Sequence, residues 1–174
     1  MIDKTMTAAR RRRISLLPGA LVVAPFVLLL LDCPAPNPGV RAATTELIVT
    51  DRNSGLAISG FDPLAYFIDG AAVPGGGEFE HRFAGAVWRF RNQGNRAAFA
   101  ADPDVYMPRF GGYDPVAVAR GVAAAGDPRL WLVSGERLYL FQLPQARAAF
   151  AADPRGIIAA ADKRWPRVQS LLSP

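Results

Sequence analysis

The chain has 174 residues, about half of them hydrophobic, with a formal net charge of +5 and a single cysteine. Its Phe, Tyr and Trp content supplies enough large apolar surface for one core, which excludes a disordered chain. Residues 1–43 hold Lys4, Arg10–Arg13 and Arg41 against Asp3 and Asp32, so the rest of the chain is close to neutral and lacks the basic footprint of a nucleic-acid binder.

The first 42 residues have the parts of an export signal. Arg10 to Arg13 form a positive head, and Leu16 to Leu31 an apolar stretch broken by Pro18, Gly19 and Pro25. Val40-Arg41-Ala42 then places small residues where a signal peptidase cuts, before Ala43. The rival reading is a retained membrane anchor, for which a span of ~20 apolar residues is needed. Both readings keep the arginines inside and the domain outside, in the periplasm. Cys33 follows Asp32 rather than the small residue a lipidated cysteine requires. After Cys33 there is no cysteine, so the mature domain has no internal disulfide and no thiolate site.

Residues 43–55 read as a linker with a first short strand, Leu47-Ile48-Val49. The folded domain is expected over 56–168, with a tail at 169–174. Leu56-Ala57-Ile58 and Ala65-Tyr66-Phe67-Ile68 are apolar runs, the second ending at Asp69-Gly70, a hairpin signal. Gly75-Gly76-Gly77 reads as a loop, without the Lys and Ser/Thr of a phosphate loop. Glu78 to Phe83 alternates, with Phe79, His81 and Phe83 on one face and Glu78, Glu80 and Arg82 on the other, the period of a half-buried strand. Ala86 to Phe90 is its partner, across a tight turn at Gly85.

Arg96 to Pro103 reads Arg-Ala-Ala-Phe-Ala-Ala-Asp-Pro, and Arg147 to Pro154 repeats it letter for letter. Each copy follows a strand, favours helix and stops at Asp-Pro, where proline disfavours helical geometry in the residue before it. Asn95 is read as the cap of the first helix and Pro144 as the opening turn of the second. Phe99 and Phe150 are the expected core anchors. Leu130 to Val133, Gly135 and Leu138 to Phe141 read as a second hairpin, and Ile157 to Trp165 as a last helix stopped by Pro166. The expected fold is α+β: a small curled antiparallel sheet with several short helices, containing two strand–turn–helix units.

The order of these motifs resembles a known family. Gly60-Phe61-Asp62-Pro63-Leu64-Ala65-Tyr66-Phe67 is similar to its Gly-Tyr-Asp-Pro-Val-Ala-Tyr-Phe opening, and Gly85-Ala86-Val87-Trp88-Arg89-Phe90 to its Gly-Ala-x-Trp-x-Phe strand. Asn95-Arg96, Phe99, Asp102-Pro103, Tyr106, Pro108, Gly111-Gly112-Tyr113, Ala119, Gly121, Asp127-Pro128, Trp131, Leu138-Tyr139-Leu140 and Ala161-Asp162 with Trp165-Pro166 continue the series. By this pattern the chain resembles the exported form of the YHS-domain family from about Leu56 to Val168. The resemblance implies a metal-binding or redox module, a description that rests on a cysteine directly after Gly-Gly-Tyr. Here that position is Asp114, followed by Pro115, so the thiol chemistry does not carry over.

What remains after the leader is one histidine, His81, one further methionine, Met107, and no cysteine. A soft-metal site needs convergent sulfur and imidazole donors; a zinc site would need His81 with two carboxylates such as Asp62 and Asp114. His81 on the Phe79/Phe83 face reads first as a core histidine. Tyr113-Asp114-Pro115 after two glycines reads as a tight turn, with a polar-ligand site at Asp114 as the other reading. No serine lies in a nucleophile elbow, and Glu78 and Glu80 lie on an outward face. The candidate ligand-binding residues are therefore Asp62, His81, Tyr113 and Asp114, with no catalytic residue, metal or cofactor assigned.

The sequence thus points to an exported, non-catalytic binding or accessory module, one form of which is a subunit of a membrane complex. Its expected partner is a protein at the membrane, with no nucleic acid, and membrane contact only through a retained N-terminal segment. The alternative is a metal- or small-ligand-binding protein using Asp114 and His81. A reporter fused after Pro174 is expected to be active only if it works in the periplasm; activity of a strictly cytoplasmic reporter would overturn the export reading.

Overall fold

The computed structural model describes residues 46–172, and the signal or anchor segment, the cleavage site before Ala43 and Cys33 lie outside them. The fold is α+β, built as two similar units in tandem. The first holds a 3-10 turn at Ile58–Gly60, α1 (Ala65–Ile68), the hairpin β1 (Gly76–Phe83) and β2 (Ala86–Phe90), then α2 (Gln93–Ala101) and α3 (Pro103–Tyr106). The second runs through the same order: a 3-10 turn at Arg109–Gly112, α4 (Pro115–Ala119), β3 (Asp127–Ser134), β4 (Arg137–Phe141), α5 (Pro144–Ala152) and α6 (Pro154–Gln169). The strands form two separate two-stranded antiparallel sheets, not the one curled sheet expected.

The repetition extends to irregular detail. The pair Gly76↔Phe90 opens the first hairpin and Asp127↔Phe141 the second, and each register then shifts before Glu80 and Trp131 respectively. Ile58, Ser59 and Gly60 are all left-handed, as are Phe110, Gly111 and Gly112. Both turns end in an Asp-Pro step that opens a short helix. The duplication read from the two Ala-rich helices is therefore only the last part of a repeat that covers nearly the whole domain.

Each unit has its own core. Trp88, Phe90 and Phe99 centre the first, and Tyr139, Phe141 and Phe150 the second. Phe99 lies 5.0 Å from Trp88 and 5.1 Å from Phe90; Phe150 lies 4.8 Å from Tyr139 and 5.2 Å from Phe141. β4 joins the two. Tyr139 and Phe141 face the second core, and Leu138 and Leu140, from its other side, belong to the first. A strand covered on both faces reads as a continuous apolar run, which is why β4 is Leu-Tyr-Leu-Phe where β2 is Val-Trp-Arg-Phe. Tyr66 of α1 adds a second join: its hydroxyl donates to the Pro128 carbonyl at 2.9 Å and its ring meets Trp131 edge-on.

The segment before the first turn is a third join. Ile48 is buried in the first core and Val49, its neighbour, in the second. The Val49 N–H donates to the Gly111 carbonyl at 2.8 Å, and the Ile58 N–H to the Val49 carbonyl at 2.9 Å. At Gly111, with φ +63°, a Cβ would lie 2.0 Å from the Leu47 carbonyl oxygen, so only glycine allows the strap to pass.

Several expectations are corrected. Ala65–Ile68 is a short helix, because the Asp62 carboxylate accepts the Leu64 N–H and starts a turn there; Asp69-Gly70 closes that helix, not a hairpin. β1 begins within the glycine stretch, at Gly76. The cap of α2 is Asn92, whose side chain accepts from the Asn95 N–H at 2.8 Å. Pro166 does not stop α6, which runs on to Gln169. The proline loses the bond an N–H would make to the Asp162 carbonyl, and Trp165, packed against the second core, and the buried Val168 hold the helix through it. Among the described residues no helix is long and apolar enough to cross a membrane.

Phe99 and Phe150 are both fully buried. Truncating either to alanine is expected to cost about 3–5 kcal/mol, read by urea unfolding. If both variants unfold at the wild-type midpoint, the two rings are not the anchors of their units.

Candidate functional site

The two buried aspartates occupy equivalent places in the repeat, and each pins a turn to a strand end. The Asp62 carboxylate accepts the Leu64 N–H at 2.9 Å on one oxygen. Its other oxygen accepts the Arg91 N–H at 2.9 Å and the Asn95 side-chain amide at 2.7 Å. Asp114 accepts the Val116 N–H at 2.8 Å and, with a longer contact, the Ala117 N–H, while its other oxygen takes the Gln142 N–H at 2.9 Å. Arg91 and Gln142 each follow directly on the second strand of their hairpin. Each carboxylate therefore turns the chain toward its helix, Asp114 as the N-cap of α4 and Asp62 through a turn just ahead of α1, and also accepts an orphan amide where a strand ends.

The two pins differ in one partner. The place of Asn95 in the second unit is taken by Ala146, so Asp114 lacks the side-chain amide that Asp62 has. Burial pushes the Asp114 carboxyl up, and the three amides with Arg120 only partly offset it.

Tyr113 is fully buried, and its hydroxyl donates to the Glu46 carbonyl at 2.6 Å, tying the strap to the second turn. His81 is half-buried in β1, opposite Trp88 in the register, with its ring 6.1 Å from Phe99. Leu132 holds the same register place opposite Tyr139, so His81 stands where the other unit has a packing leucine. It belongs with the first core and is not gathered with Asp114. Among the described residues, no group of three or more His, Cys, Asp or Glu side chains converges to hold a metal ion.

Two concavities lie elsewhere. One of about 100 Å³ is lined by Glu46, Leu47, Ile48, Thr50, Ala84, Gly85 and Ala86. Another, open and of about 200 Å³, is lined by Leu132, Pro144, Arg147, Ala148 and Ala151. Neither includes Asp62, His81, Tyr113 or Asp114. Of the four candidate residues, the structure thus brings two into matched backbone-pinning roles, ties the third, Tyr113, to the strap and sets the fourth, His81, against a core ring.

No family model matches the chain, and no curated protein and no solved structure matches it.

The sequence reading missed Asn95 as a partner of Asp62. It also missed that Asp62 and Asp114 are counterparts, although Gly60-Phe61-Asp62-Pro63-Leu64-Ala65 and Gly112-Tyr113-Asp114-Pro115-Val116-Ala117 align once laid side by side.

The raised Asp114 carboxyl gives a stability test with a defined sign. The folded state takes up this proton at a higher pH than the unfolded chain, whose reference value is 3.8. The site therefore gains stability as pH falls from above the raised value toward 3.8, and loses it again as pH rises through the window. Asp114→Asn keeps an acceptor oxygen and cannot titrate. Urea melts across that window are expected to show wild type gaining on the variant as the pH falls. A constant difference between the two would remove the titration from the account.

Proposed function

We propose that this chain is an exported, non-catalytic binding or accessory module of the YHS type, acting with a protein partner at the membrane as a subunit of a membrane complex. The observation that carries this reading is the commitment of Asp114. At the position where the resembling family keeps its cysteine, this chain has a buried carboxylate whose two oxygens hold backbone amides at both ends. A buried carboxylate holding three backbone amides has a structural task, and it brings no thiol to oxidise, which favours a scaffold over an enzyme. The leader pattern supports export, and the ordered motifs over 56–168 support the family. Outside the leader, membrane contact is not part of the proposal, and neither is nucleic acid.

The same reading accounts for the weakness of the metal alternative. Soft ions need sulfur or imidazole in convergence, and His81 and Asp114 belong to different units with different neighbours. Equilibrium dialysis against Cu(I) is expected to give no stoichiometric binding by the unaltered protein. Asp114→Cys restores a thiol at the family position, and that variant is expected to gain thiol reactivity or Cu(I) affinity. Tight one-to-one binding by the unaltered protein would overturn the proposal, with His81 the first ligand to replace.

A further inference from the structure

The duplication supplies an internal control: wherever the two units need the same packing, one shows what the other could have used. At three linked places they diverge in a consistent direction. The residue before the second left-handed turn is Arg109, where the first unit has Ala57. The first residue of β4 is Arg137, where β2 has Ala86. The residue opposite Leu132 is Tyr139, where Trp88 lies opposite His81. In the first unit all three are buried, two as alanines and the third as Trp88, whose indole N–H is satisfied by the Phe83 carbonyl. The fold therefore does not require charged groups here.

The three residues meet on one face. Tyr139 and Arg137 are two apart on β4 and so project to the same side. The Tyr139 ring lies 6.4 Å from Phe110, and Phe110 lies 5.5 Å from Trp165 of α6. Arg109 stacks over the Phe110 ring at 5.2 Å and pairs with Asp162 of α6. Burial pushes the Tyr139 phenol up; Arg109 pulls it down, Asp162 pushes it up and Arg137 pulls it down.

Asp162 neutralises one guanidinium and leaves the other in excess. The Arg137 Nε–H is buried and has no hydrogen-bond acceptor, and among the described residues no other buried side-chain nitrogen or oxygen is in that state. Buried donors are ordinarily satisfied, and an exception asks for a ligand or a water. We propose that Arg137, Arg109 and Tyr139 form a carboxylate-binding site on the face where β4, the second left-handed turn and α6 meet. The proposal stands independently of the accessory-module reading.

The ligand class follows from charge and shape. A guanidinium presents a planar fork of donors that matches a carboxylate. The net excess is one positive charge, and the Asp162 carboxylate beside Arg109 opposes a doubly charged anion. The half-buried Trp165, packed on the buried Phe110, offers an apolar surface beside the charge. A monovalent carboxylate on an apolar or aromatic body fits both features; its source is a free small acid or an acidic or C-terminal carboxylate of a partner protein.

The test uses the full chain and sodium benzoate at constant ionic strength. The Arg137 Nε–H resonance in a proton–nitrogen spectrum is expected to shift and saturate, and inorganic phosphate to bind more weakly. Arg137→Ala reproduces Ala86 of the first unit, and is expected to fold and to lose benzoate affinity by about tenfold or more. Arg164→Ala, on an exposed position of α6, is expected to bind as wild type. A short peptide with a free C-terminal carboxylate, competing against benzoate, separates the two sources: displacement at lower concentration than free benzoate assigns the site to a partner chain, and the reverse to a free acid. Absence of a saturable shift, unchanged affinity in Arg137→Ala, or phosphate binding as tightly as benzoate would each overturn the site. Should Arg137→Ala fail to fold, the wild-type resonance and Arg137→Lys, which keeps the charge and loses the fork, decide the matter.

Discussion

The burial of β4 on both faces is the constraint on which the rest of this structure depends. A ββα unit of this size buries too little apolar surface to be secure alone. Here Leu138 and Leu140 complete the first core while Tyr139 and Phe141 begin the second. The strand therefore carries no charged residue between Leu138 and Phe141, and its counterpart β2 does, at Arg89. Arg89 in β2 takes the place of Leu140 and pairs with Glu80 at 2.9 Å on a partly exposed face. The first hairpin thus ends the stack with a polar side, as terminal repeats do in tandem arrays, and α6 covers the second unit at the other end.

Given two cores sharing one strand, the turns that lead into each unit must be held firmly. The aspartate pins do this with backbone amides. Each left-handed turn brings the chain to an Asp-Pro step, and each carboxylate reaches from that step to the amide just past the second strand. In α4 the proline, Pro115, fixes the first helical residue and has no N–H to satisfy. This arrangement explains why Asp-Pro occurs twice at the same place in the repeat, and it assigns Asp114 a structural task that a cysteine would fulfil poorly, since sulfur is a weak acceptor.

The two units share a frame and differ in what they place on it. The first uses alanines and tryptophan where the second uses two arginines and a tyrosine, and His81 in the first replaces a leucine in the second. Such differences are informative because the common backbone removes packing as their explanation. They direct attention to the β4–α6 face, away from the Gly-Gly-Tyr position to which the family resemblance points.

The sequence by itself determined the fold class, both hairpins, the two Ala-rich helices with their Asp-Pro stops, and the burial of Phe99 and Phe150. These rest on short-range pattern: period-two alternation, helix propensity and proline geometry act within a few residues. It also held the longer repeat in plain view, in the paired Gly-aromatic-Asp-Pro steps. Tertiary structure alone decided that Ala65–Ile68 is helical, because an apolar run of four fits strand or helix and the turn that Asp62 makes with the Leu64 N–H selects between them. It alone decided that α6 passes through Pro166, since Trp165 and Val168 pack beyond the proline's local cost. And it alone decided which polar residues face one another: Asp62 with Asn95, Asp114 with Gln142, and Arg109 and Arg137 about Tyr139 are separated along the chain, and only the packing of two units on one strand brings them within bonding or charge range.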